Sequence, residues 1–180
     1  MKAGDVNTDD NSHDPTAFVR TAVERHQAPL LRYAARILHG DADRAQDVVQ
    51  DTFVRLMSQP VAAIEGHLAE WLFTVCRNRA LDVLRKEGRM SFFAEGQAER
   101  ITAAEPRPGT SLERAEAHAA VLRLMDRLPP NQQEVVRLKF QNNFSYQEIS
   151  RITSLSVGNV GFLLHTALAR LRKEMAAQPE

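Results

Sequence analysis

The stretch that most constrains this chain is Ser145 to Lys173, SYQEISRITSLSVGNVGFLLHTALARLRK. Ser145 and Glu148 stand at capping-box spacing: a hydroxyl takes one orphan backbone N–H, and a carboxylate three residues on reaches back to the cap's own N–H. Ile149 and Ile152 give the short helix that follows an apolar face, Thr153–Ser154–Leu155 breaks it, and Ser156 caps a second helix. Along that helix Val157, Val160, Leu164, Ala167, Leu168 and Leu171 recur at steps of three and four, which is one buried stripe. The opposite face carries Asn159, Phe162, His165 and Thr166, then Arg170, Arg172 and Lys173. A short capped helix, a turn and a longer helix with a polar, basic outer face is the pattern of a helix-turn-helix, whose second helix enters the DNA major groove. A plain helical hairpin in a bundle has the same periodicity.

The distribution of charge separates these readings better than its total. Formal net charge is zero, so no global basic signature points to nucleic acid. Between Val121 and Lys173, however, eight bases face three acids, Asp126, Glu134 and Glu148. Basic charge is therefore concentrated around the helix-turn-helix, as a phosphate-binding surface requires. The first fourteen residues are the reverse, with Asp5, Asp9, Asp10 and Asp14 against Lys2.

The rest of the chain shows helical periodicity and no strand pattern. Residues 1–15 are polar and Asn/Asp-rich and are expected to be a disordered tail. Residues 16–88 form a first helical domain. Within it, Thr16 to His39 is helical in pattern, with Pro29 expected to start a new helix at its first turn and Gly40 to close it. Asp41 caps a helix to about Met57 whose stripe is Ala45, Val48, Val49, Thr52, Phe53 and Leu56. Its other face shows Asp43, Asp47, Gln50, Asp51 and Arg55, which suits either solvent or a basic partner helix. Gln59 to Gly66 is expected to be a loop, and His67 to Lys86 a long apolar helix with Arg77, Asn78, Arg79, Asp82, Arg85 and Lys86 gathered in its second half. So much guanidinium and amide at one end suits phosphate and base contacts, or simply an exposed helix end. Residues 89–110 lose periodicity and collect Gly and Pro, the composition of a linker. Residues 111–175 form the second domain: a helix capped by Ser111, a break at Leu128–Pro129–Pro130–Asn131, a helix from Gln132 to Phe140, a turn at Asn142–Asn143 and the helix-turn-helix. The expected architecture is all-α, two small helical domains on a flexible linker.

Several chemistries have no signal. There is no GxxxxGK[ST] phosphate loop and no GxSxG elbow. None of the six histidines lies at metal-ligand spacing with a cysteine or another histidine. No catalytic residue, metal or cofactor is expected, and the chain is read as no enzyme. The one cysteine, Cys76, excludes an internal disulfide framework. With no secretory signal and no apolar run long enough to cross a bilayer, a cytoplasmic protein without membrane insertion is expected.

Taken in order, DADRAQDVVQDTFVRLM, LAEWLFTVCRNRALDVLRK, a Pro/Gly linker and LPPNQQEVVRLKFQNNFSYQEISRITSLSVGNVGFLLHTALARLRK resemble the bacterial extracytoplasmic-function sigma factors, short members of the sigma-70 family. The resemblance spans about Phe18 to Lys173. It implies a subunit that binds core RNA polymerase through its clamp and flap regions, selects promoters and helps to open the DNA, with an anti-sigma factor as a possible partner. By position it implies that Asp47, Gln50, Asp51 and Arg55 dock on the clamp. The loop Val61–His67 with the next helix would meet the −10 element through Ile64, His67, Trp71, Arg77, Asn78, Asp82 and Arg85. Trp71 is either a stacking platform or a core residue among apolar neighbours. The −35 element would be read by Ser156, Asn159, Phe162, His165, Thr166 and Arg170. Here the chain departs from the family, which often carries Lys or Arg where this sequence has Gly161, Leu163 and Thr166. The alternative is a helix-turn-helix regulator that acts without polymerase, and such a regulator predicts dimers on palindromic sites.

Overall fold

The structure is a computed structural model and describes residues 15–86 and 122–176. The expectations for the N-terminal tail, the linker at 89–110 and the helix start at Ser111 lie outside the described residues. The elements are α1 (Pro15–Ile37), α2 (Ala42–Met57), the single turn α3 (Val61–Ile64), a 3-10 turn (Glu65–His67), α4 (Leu68–Lys86), α5 (Pro130–Phe140), α6 (Tyr146–Thr153) and α7 (Val157–Ala176). Among the described residues there is no strand.

In the first half, α1, α2 and α4 pack on one another through stripes of small and aliphatic residues. Along α2 the buried set is Ala45, Val48, Val49, Thr52, Phe53 and Leu56, the stripe read from the sequence. Asp41 accepts from the N–H of Arg44 at 3.1 Å, so the cap is made as expected. The end of α1 closes through His39 and Gly40, both at positive φ (58° and 86°), and the Gly40 N–H reaches the Ala35 carbonyl at 2.7 Å.

Three boundaries differ from the sequence expectation. Pro29 starts no new helix and lies inside α1. Proline forfeits one backbone hydrogen bond there, but Leu30, Tyr33, Ala34 and Ile37 beyond it are all buried, and their packing holds the helix through the break. Gln59–Gly66 is not a plain loop. Burial of Ile64 folds it into α3 and the 3-10 turn. In the second half α5 begins at Pro130 rather than Gln132, because proline at a first helical position loses no bond it would have made.

The second half packs α5, α6 and α7 around Val135, Leu138, Ile149, Ile152, Val160 and Leu164. It also packs against the first half. Phe144, which leads into α6, meets Phe73 of α4 edge-on with ring centroids 5.0 Å apart, and Phe73 meets Tyr33 of α1 at 5.1 Å. The three rings join the two halves into one continuous core.

Candidate nucleic-acid interface

The helix-turn-helix is built as the sequence proposes. Ser145 accepts from the Glu148 N–H at 3.2 Å and its own N–H donates to the Glu148 carboxylate at 2.7 Å, so both arms of the capping box close. These bonds to Ser145 hold the Glu148 carboxyl below its ordinary range. Ser154 ends α6 in the left-handed region (φ 61°), and the Ser150 hydroxyl donates to the Leu155 carbonyl at 2.5 Å, which fixes the turn. Ser156 accepts from the Asn159 N–H at 3.2 Å and starts α7. The axes of α6 and α7 turn by 104° at this break, within the range of DNA-binding helix pairs.

Along α7, Val160, Leu163, Leu164 and Ala167 are buried. Ser156, Asn159, His165 and Arg170 are exposed, and Phe162 stands 64% exposed. Thr166 is half-buried, with its hydroxyl donating to the Phe162 and Leu163 carbonyls. The expected stripe needs two amendments. Val157 is exposed at the first turn, where no neighbouring helix covers it, and Leu163 belongs to the core. The burial of Leu163 explains why a base there does not suit this chain. Gly161 lies under the Tyr146 ring, where an added Cβ would meet Cε2 at 3.7 Å, an ordinary contact. Packing does not require glycine at this position.

The α2 face carries Asp47, Gln50 and Arg55, all exposed. Asp51 accepts from Arg79 of α4 at 2.7 Å. Beside them stand two large apolar side chains that the sequence reading passed over, Val54 at 56% and Met57 at 70% exposure. Val54 falls at the helical spacing that places 47, 50, 51, 54 and 55 on one face, and Met57 borders that face beside Gln50 and Val54. This side of α2 therefore has an exposed apolar centre and a charged rim.

The −10 candidates do not form one open surface. Ile64 is 3% exposed and holds the α3 turn in the core, so the expectation that it touches DNA is corrected: its apolar side chain is better satisfied inside. Trp71 is partly buried against that core. His67, Asn78 and Arg85 are exposed, and Arg85 pairs with Asp82 one turn back at 2.5 Å. Arg77 points at the second half instead of outward. Its Nε and Nη2 donate to the two Glu134 oxygens at 2.8 and 3.3 Å, and Tyr33 donates to the same carboxylate at 2.7 Å. Burial works against the Arg77 charge, and the Glu134 carboxylate outweighs it, so the guanidinium pKa sits above its ordinary value. Burial and then the Glu134 charge push the Tyr33 hydroxyl well up, which keeps it a neutral donor. Among the described residues no group of His, Cys, Asp and Glu could hold a metal ion, and no single helix is long and apolar enough to cross a membrane.

An all-helical chain with a capped helix-turn-helix whose second helix keeps one face in solvent has the architecture of a DNA-binding protein. Residues 22–90 match the family described as Sigma-70 region 2, and residues 118–171 the one described as Sigma-70, region 4. The chain is 33% identical over 144 residues to the ECF RNA polymerase sigma factor EcfG of Rhodopseudomonas palustris, covering 79% of this chain and 77% of that protein. It is 32% identical over 165 residues to the ECF RNA polymerase sigma factor SigL of Mycobacterium tuberculosis, covering 87% and 88%. Among solved structures, the Bartonella quintana sigma factor RpoE, in complex with the anti-sigma factor NepR, superposes with a TM-score of 0.62 at 23% identity over 89% of this chain and 98% of that one, which shows a shared fold. The chain belongs to the extracytoplasmic-function sigma factors of the sigma-70 family. It acts with core RNA polymerase in promoter-specific initiation of transcription.

Proposed function

We propose that the two halves, residues 16–88 and 111–175, divide promoter recognition between them. The outer face of α7, with Asn159, Phe162, His165 and Arg170, reads the −35 element in the major groove. Phe162 contacts a thymine methyl, and the polar side chains reach base edges and phosphates. The exposed face of α2, centred on Val54 and Met57 and rimmed by Asp47, Gln50 and Arg55, docks on core polymerase. His67, Trp71, Asn78 and Arg85 serve the −10 element, where a base flipped from the non-template strand has to be held. The observation that carries this reading is the exposure of Phe162 on a helix whose inward face is fully committed to packing: an aromatic kept in water at that place has no structural duty.

The protein leaves the chemistry of RNA synthesis to core polymerase and works with it in the cytoplasm. An anti-sigma factor is a further expected partner, because the Bartonella sigma factor is captured with one. Two variants test the division. Met57→Glu should weaken binding to core polymerase. Phe162→Ala should leave that binding intact while promoter-directed transcripts fall. If both variants lose polymerase binding alike, the faces are misassigned.

A further inference from the structure

From Val157 to Ala169 the leading part of α7 reads VGNVGFLLHTALA and holds no Lys, Arg, Asp or Glu. This is the part of a recognition helix that meets base edges. Its outward row is Gly158, Gly161, Phe162 and His165, which share one face by helical spacing, with Val157, 45% exposed, and Asn159 on either side. A Cβ on Gly158 would meet nothing within 4 Å, and one on Gly161 only the Tyr146 ring. Packing inside the protein demands neither glycine, although glycine is the poorest helix former after proline. Together they leave a low floor of bare backbone between Val157 and Phe162, over which base edges can come close. The exposed Tyr146 ring borders that floor on the α6 side.

Guanine is most often read by an Arg or Lys on O6 and N7, and cytosine by an Asp or Glu that accepts from N4. The leading part of α7 offers neither. Arg151 of α6 donates to both Glu70 oxygens of α4 at 2.7 Å. Arg170 follows about 20 Å beyond Val157 along the axis, where it suits a phosphate. The Ser156 hydroxyl is taken up in the cap, and the Thr166 hydroxyl is spent on the Phe162 and Leu163 carbonyls. What remains for the groove is Asn159, whose amide matches adenine N6 and N7, and the apolar Val157 and Phe162, which match the thymine methyl. His165, about 12 Å along the axis from Val157, leaves guanine a reader only at the outer end of the element. We propose that the core of this chain's −35 element is a run of A·T pairs, recognised through thymine C5 methyls and adenine edges, with no guanine or cytosine read there. This deepens, and rests on, the assignment of α7 to the −35 element.

The test is run-off transcription by core polymerase with the full chain, on templates randomised across the −35 region. The selected promoters are then rebuilt with deoxyuridine in place of thymidine in that element. Deoxyuridine keeps the base pair and the O4 acceptor and removes only the methyl. The selected core should be A·T throughout. Each methyl packed against an apolar side chain should be worth about fourfold, so the loss of two should lower transcript yield about 15-fold. The same exchange between the two elements should change nothing. Phe162→Ala should lose part of the sensitivity to deoxyuridine, because the methyl has lost its partner already; circular dichroism checks that this variant keeps its helices. A selected core that requires guanine or cytosine, or equal yields from thymidine and deoxyuridine templates, overturns the proposal and leaves the sigma reading standing. Equal deoxyuridine sensitivity in native and Phe162→Ala chains overturns the part given to this face of α7. Chain-dependent transcripts that ignore the −35 region altogether overturn the assignment of α7 to that element, and the proposal with it.

Discussion

Phe162 stands out of α7 with nothing inside the protein to hold, so its removal separates binding from folding. Phe162→Ala should lower transcription from a −35-dependent promoter by roughly 5- to 150-fold, the range set by about 1–3 kcal/mol for a specific base contact. Its melting temperature should stay within a degree or two of native. An equal loss on promoters with and without that element would contradict the assignment. The outward set was legible because α7 has one clean period: once Val160, Leu164 and Ala167 turn inward, Asn159, Phe162 and His165 must turn outward. Arg77 was not legible in the same way. Its acceptor, Glu134, is 57 residues away, and no local pattern tells a guanidinium meant for phosphate from one meant for a carboxylate across a domain boundary. Glu70 and Phe73 were passed over for the same reason. Their partners lie in the other half, and each looks unremarkable within α4. Cys76 was read correctly as core: burial pushes its thiol up to about 12, with a Thr52 hydrogen bond offsetting part of that, so it has no thiolate character at neutral pH.

At the scale of single elements, α6 depends on its capping box. The Glu148 carboxyl has a folded pKa below its unfolded value of about 4.3. Its contribution is therefore fully present above that unfolded value and is lost as pH falls through the folded pKa. Thermal melts should show native and Glu148→Gln chains differing near neutral pH and converging as pH falls below the unfolded carboxyl value and through the lowered folded one; a difference that persists in strong acid would rule the carboxylate out as its source. Ser145→Ala, which removes the other arm, should cost about 1 kcal/mol. In α1, Pro29 breaks a ladder that tertiary packing keeps running. Pro29→Ala should restore the missing bond and raise stability by about 1–3 kcal/mol in urea titration. A loss of stability would show that the ring itself packs productively. The α2 stripe was readable to the residue, because its period and its Asp41 cap agree. The middle of α1, around Pro29, and the region after Pro60 were less so, since there burial of Tyr33, Ile37 and Ile64 overrides the local signals of proline and glycine.

For the whole molecule, the proposed division of labour between two small domains predicts that each box alone contributes modest affinity, and that both together gain through effective concentration once they are held on polymerase. Composition carried none of this, because a net charge of zero hides a basic second half behind an acidic start. Only the distribution of charge, and then the ion pairs between halves, made it visible.

The most direct measurement is run-off transcription with purified core polymerase on a library of promoter fragments, with and without the chain. A sigma factor predicts transcripts that require the chain, start at defined points and come from templates sharing two short elements at fixed spacing. Equal transcription with and without the chain, together with dimeric binding of the free protein to palindromic duplex DNA, would contradict it.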